Sequence, residues 1–296
     1  MSVLEYLDKH MLSRKIEDAV NAAVRAKTPD PILFISNHMR KSVPSVITKV
    51  KARQILDSRG FPTVEVDLHT HRGVFRASVP SASSPGMYET VDLRIYLRNG
   101  VSRAVKNVND KISGALLGMD PTLQAQIDQA MIELDKAENK SDLGVNAILA
   151  VSIAACKAGA AEKEVPIYKH LADLAGKSGY SLPVPSFTLI SGGKHAGNDL
   201  AIQEIMILPV GAANFEAALQ IGSEIYHHLK ALITERFGSL GCNVGENGAY
   251  CKFPFLFPNF SLREGLDLVK EAIEGTGYGE KVKIALGVAA TEFCIG

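Results

Sequence analysis

Between two glycine turns, Ser58-Arg59-Gly60 and His71-Arg72-Gly73, the chain alternates strictly: Val64, Val66 and Leu68 point one way, Glu65, Asp67 and His69 the other. A period of two is the side-chain repeat of a strand with one face in a core and one in water. With Val46 to Ala52 before it and Phe75, Ala77 and Val79 after it, the pattern predicts a three-stranded antiparallel meander. Helical patterns follow, from Val101 through Asp135 and from Leu143 to Glu162. Strands succeeded by a run of helices predict an α+β domain over residues 43–181.

From Leu182 the rhythm changes. An apolar strand, Pro183 to Ile190, is followed by a glycine turn, a second apolar run through Ile205-Met206-Ile207-Leu208, and a helix from about Asn214 to Arg236. A glycine-rich loop, a helix from Leu262 to Glu274 and a strand from Val282 to Leu286 complete residues 182–296. Strands alternating with helices predict the first part of an α/β barrel of the TIM type. A closed barrel of that type takes about 250 residues, so the barrel is expected to be incomplete.

Residues 1–42 read as a helical hairpin. Asp30-Pro31 offers a capping carboxylate and a proline for a first turn, with Ile32, Ile35 and Met39 on one face. Before it, Ser13 is placed to cap a helix carrying Ile16, Val20 and Val24, and the two helices join at Lys27-Thr28. Such short amphipathic helices need a surface to cover their stripes, on this chain or on a second copy. Through Tyr6-Leu7 and Asp30 to Ile35 the segment resembles the docking and dimerisation helices of the Dpy-30 and protein kinase A regulatory-subunit type. It is read either as a hairpin with no special role or as a module that dimerises or takes a docking helix.

Composition excludes several classes. Lys plus Arg and Asp plus Glu each number 32, so no net field draws the molecule to nucleic acid or to an anionic membrane. The four cysteines form no Cys-x-x-Cys pair, which argues against a structural zinc or redox motif. The acidic N-terminus is unlike a secretory signal, and Asn146 to Ala161 is too short to span a bilayer. A cytosolic protein is expected.

Four collinear blocks carry a resemblance: Ala52-Arg53-Gln54-Ile55-Leu56-Asp57-Ser58-Arg59-Gly60-Phe61-Pro62-Thr63-Val64-Glu65-Val66, Leu143 to Leu149, Ala161 to Pro166, and Ser191-Gly192-Gly193-Lys194-His195-Ala196-Gly197-Asn198. Together they resemble the enolase (phosphopyruvate hydratase) family, plant cytosolic type, over Val46 to the last residue. The resemblance implies a lyase of glycolysis that dehydrates 2-phosphoglycerate to phosphoenolpyruvate with Mg²⁺, commonly as a homodimer. That chemistry needs a base for the carbon-bound proton, an acid for the departing hydroxyl, and cations for the dianionic intermediate.

The resemblance assigns Ser84 to the second Mg²⁺, His195, Gln203 and Glu204 to substrate, and Glu204 also to proton transfer at the leaving hydroxyl. It also exposes departures. Ala82 and Pro85 replace a loop glycine and threonine around Ser84. Asn247 stands where the family has its general acid, with Glu246 beside it. Gly287 stands at a metal-ligand position, and the base lysine and two further acidic ligands correspond to family sequence beyond Gly296. Ala249 to Phe260 replaces a short polar connection with an aromatic, proline-broken stretch, read as a buried insertion or a misdefined coding segment. Activity is therefore expected to be impaired or absent in this chain. The alternative is a non-catalytic scaffold that dimerises through residues 1–42.

Overall fold

The alternating segment is strand β2 (Pro62–Thr70), paired antiparallel with β1 (Lys49–Leu56) on one side and β3 (Gly73–Ser78) on the other. The computed structural model describes residues 2–41, 43, 45–80, 101–193, 196, 198, 200–245, 247–251 and 260–290. By its internal packing the chain divides into two units, Met1–Tyr180 and Ser181–Gly296.

In the first unit, Val64, Val66 and Leu68 are wholly buried, as the alternation requires. Glu65 and Asp67 stand on the opposite face, where two arginines hold them. Arg76 reaches Asp67 through Nε (2.6 Å) and Nη2 (2.9 Å), and Arg53 donates from Nη1 at 3.0 Å and also pairs with Glu65. The Arg76 hydrogen bonds lead in drawing the Asp67 carboxyl down to about 2, with Arg53 adding to them against the cost of desolvation.

Helix α7 (Val145–Glu162) covers the buried face of this sheet with Ala147, Ala150, Val151, Ala154, Ala155 and Ala158. Against the expectation that Asn146 to Ala161 is too short to span a bilayer, the whole helix α7 is long and apolar enough by length and composition, but its buried residues make it the core helix of this unit. The helical stretch beginning at Val101 is broken into pieces. Helix α4 (Ser102–Asn107) runs through a wide π turn (Val108–Ile112) into α5 (Ser113–Leu116), and α6 (Gln124–Leu134) starts afresh. The break is fixed by Gly118, at φ +83°, and by Asp120, whose Oδ1 accepts from Thr122 N and Oγ1, both at 2.8 Å. On the π turn, Asn109 accepts from Ala52 N (2.8 Å) and donates to Ala52 O (3.2 Å), satisfying the open edge of β1. Helix α8 (Ile167–Leu174) has no counterpart in the sequence reading, although Ile167, Leu171 and Leu174 recur at helical spacing; its one buried residue is His170.

The N-terminal segment holds three helices rather than two. Helix α1 (Val3–Lys9) opens with a Ser2/Glu5 capping box. Helix α2 (Leu12–Ala26) starts after Met11 without a side-chain cap, so Ser13 lies inside the helix and does not cap it. Asp30 does cap α3 (Pro31–Lys41), accepting from Leu33 N at 2.9 Å. The stripe Ile16, Val20, Val24 faces outward, while Ala19 and Ala23 are the buried residues of α2, their small side chains admitting a close neighbour. Lys41 Nζ meets Glu164 Oε2 at 3.0 Å just beyond the end of α7.

The second unit is a sheet with order β4–β5–β6, formed by Phe187–Ser191, Glu204–Leu208 and Lys283–Gly287. Both pairings are antiparallel, and Tyr250 adds a parallel bridge to Ile190. The first strand starts at Phe187 rather than Pro183, since prolines 183 and 185 have no N–H for a ladder. Helices α9 (Phe215–Phe237, capped by Asn214) and α10 (Leu262–Gly275, capped by Ser261) bury Ile225, Leu229, Leu268 and Val269 against Leu189, Ile205 and Ile207. Among the described residues these strands form an open sheet.

Candidate functional site

One end of the second sheet gathers the polar residues. Register places Ser191 opposite Glu204 and Glu204 opposite Gly287, so the three form one row across β4, β5 and β6. The glycine turn after Ser191 exists because backbone fills the space a side chain would need. A Cβ on Gly192 would lie 2.3 Å from Ile202 O, and Gly193 has φ +63°.

Asn198 fastens this end together. Its Nδ2 donates to Ser191 O (2.9 Å) and Cys251 O (2.7 Å), and its Oδ1 accepts from Leu200 N (3.1 Å). Asn247 is held from the other side: its Nδ2 donates to Ser191 Oγ at 2.9 Å and its Oδ1 accepts from Ala249 N at 3.1 Å. Tyr226 stacks on buried Tyr250 at 4.7 Å and donates to Gly248 O at 2.8 Å, fixing the same loop. Burial leads in pushing the Tyr250 phenol far above its ordinary value, so it stays neutral. Ala249, Tyr250, Cys251 and Phe260 are buried, and residues 252–259 of that stretch lie outside the described residues.

The structure thus brings Glu204, Asn247 and Gly287 to one sheet end, with Gln203 immediately before β5 receiving Gly192 N on its carbonyl at 2.8 Å. Ser84, His195 and Glu246 lie outside the described residues. Ser191 and Asn198, the residues that organise the site, were quoted from the sequence only as parts of a block. The signal that identifies them is their position on either side of a double glycine.

The donors here do not fit a Mg²⁺ cage. Among the described residues no three His, Cys, Asp or Glu side chains converge on a point where they can hold a metal. Gly287 has no side-chain oxygen, and a Cβ there would sit 3.1 Å from Glu204 Oε2 and 3.2 Å from Glu204 Cβ. The Glu204 side chain therefore lies over the place from which a carboxylate at 287 would project. Mg²⁺ demands near-ideal octahedral oxygen geometry, and this row supplies one carboxylate.

Comparison with known proteins accounts for nearly the whole chain. Residues 47–171 match the family model "Enolase, N-terminal domain" and residues 179–295 match "Enolase, C-terminal TIM barrel domain". "Cytosolic enolase 3" of Arabidopsis thaliana is 70% identical over 302 residues, an alignment covering 100% of this chain and 62% of the relative. "Enolase" of Solanum lycopersicum is 55% identical over 260 residues, covering 84% of this chain and 57% of the relative. The chain thus spans about three-fifths of the length of these relatives. With a meander-plus-helices unit and a barrel-type unit matched in order, the chain belongs to the enolase family.

Proposed function

We propose that this chain keeps part of the enolase substrate surface, at Gln203, Glu204 and the loop bearing His195, and does not by itself dehydrate 2-phosphoglycerate. The family reaction, a step of glycolysis, is the function of its ancestry. The observation that carries the reading is the state of Asn247, whose amide stands at the general-acid position and has both its nitrogen and its oxygen engaged in holding the loop. An amide has no proton to give at neutral pH. General acid catalysis contributes about 10²- to 10⁴-fold, roughly 3 to 5 kcal/mol of barrier. The close approach of Glu204 to Gly287 adds a second obstacle, since Mg²⁺ supplies the charge stabilisation for the intermediate when it is bound.

A calorimetric titration of the purified chain with Mg²⁺ tests this reading. No saturable heat is expected at millimolar metal, and a one-to-one isotherm would overturn it. A cytosolic location is proposed from the name of the Arabidopsis relative.

A second reading, a scaffold assembling through its N-terminal helices, is favoured by one observation. Ile16, Val20 and Val24 on α2 are 43%, 41% and 69% exposed, and Ile32 and Leu33 on α3 are more than half exposed. That is an apolar surface of a kind used for association. Removing residues 1–42 is expected to lower the oligomeric state, as read by light scattering, and an unchanged number of subunits would set this reading aside.

A further inference from the structure

Helix α8 enters the core of the first unit through one side chain. His170 is 0% exposed, whereas Ile167, Tyr168, Leu171 and Leu174 of the same short helix are 39%, 58%, 51% and 44% exposed. The imidazole is buried, yet neither Nδ1 nor Nε2 has a hydrogen-bond partner. Buried polar groups are nearly always paired, so an anchor of this kind calls for an explanation. Gly159 of α7 provides the seat: a Cβ at this position would lie 3.0 Å from His170 Nε2 and 2.6 Å from Pro121 O.

We propose that His170 is a pH-operated clasp, which as neutral imidazole keeps α8 on the core and on protonation releases it. A protonated imidazole carries two N–H donors and a charge, and its present seat gives neither nitrogen an acceptor. The surroundings do not favour a charge. Lys163, just past the end of α7, opposes it, Asp173 on α8 itself favours it, and Asp120 in the loop before Pro121 is engaged by Thr122. Burial is the leading cause that lowers the imidazole below its ordinary 6.5, with Lys163 adding to it. The sign follows. When α8 is open, His170 titrates near the ordinary value, and when α8 is closed it titrates lower. Closure is thus fully favoured above about pH 6.5 and is lost as the pH falls from there through the lowered value, the open population rising up to about tenfold per pH unit. Detachment would expose His170 and the vacated seat beside Gly159 and Pro121.

Hydrogen exchange on the full chain, corrected for intrinsic rates, tests the clasp between about pH 7.5 and about pH 5.5. Amides of α8 are expected to lose protection by about tenfold per unit below pH 6.5, while amides at 147–158 in α7 hold theirs. His170→Leu, which cannot titrate, is expected to abolish that dependence. The same acid opening in His170→Leu, or none in the wild type, overturns the proposal. If the variant does not fold, histidine carbon-13 resonances of the wild type decide. Titration of His170 in step with α8 opening supports the clasp, and titration with α8 still protected overturns it.

Discussion

Gly287 and Asn247 shape the same sheet end, one by the side chain it lacks and one by the hydrogen bonds it makes. At Gly287 the absent side chain lets Glu204 lie across the strand, its Oε2 within 3.1 Å of where a Cβ would be. Gly287→Asp would set two carboxylates side by side in one cross-strand pair. In metal-free buffer it is expected to destabilise the second unit by about 1 kcal/mol, from like-charge opposition and crowding. A denaturation midpoint equal to that of the wild type would show that Glu204 does not occupy this place. Asn247→Ala removes the bonds to Ser191 Oγ and Ala249 N, and a loss of roughly 1 to 2 kcal/mol is expected. A change within about 0.5 kcal/mol would mean that the amide does not hold the loop. Both positions are singled out in the sequence only through the resemblance, as expected departures from a family pattern. What each residue does in the fold was not legible there, because hydrogen-bond partners such as Ser191 are set by the register of strands distant in sequence.

At the scale of elements, legibility tracked amphipathic contrast. The alternation of β2 gave its buried face correctly, and Asn214 and the Ser261 capping box mark helices α9 and α10. Ser261→Ala is expected to cost about 1 kcal/mol, measured by urea denaturation, and no cost would mean the cap bonds are not maintained in solution. The outward turn of Ile16, Val20 and Val24 was not legible, because α2 carries two candidate stripes and the alanine one is buried. Helix α8 was missed although Ile167, Leu171 and Leu174 recur at helical spacing, and that stripe is not the face that is buried. The polar face of β2 yields a pH prediction. Its Asp67 carboxyl lies at about 2 when folded, against an ordinary 3.8, so the stabilisation is complete above 3.8 and is lost as the pH falls through about 2. Asp67→Asn should flatten that acid limb of the stability profile, and an unchanged limb would show that the arginine pair does not hold the carboxylate.

For the whole molecule, the proposed reading separates ancestry from activity. The two units match the enolase domains in order over residues 47–171 and 179–295, and the sheet end that gathers Glu204 also gathers Asn247 and Gly287. The fold class was readable because collinear blocks and element order are global signals. The chemistry depends on a few atoms, and the proposed loss of activity rests on two of the residues that would supply them, Asn247 and Gly287. The direct measurement is turnover: the purified chain, with 2-phosphoglycerate and excess Mg²⁺, followed by the ultraviolet absorbance of the enol product. No rise above the enzyme-free rate is expected, and a metal-dependent rise proportional to protein concentration would contradict the account.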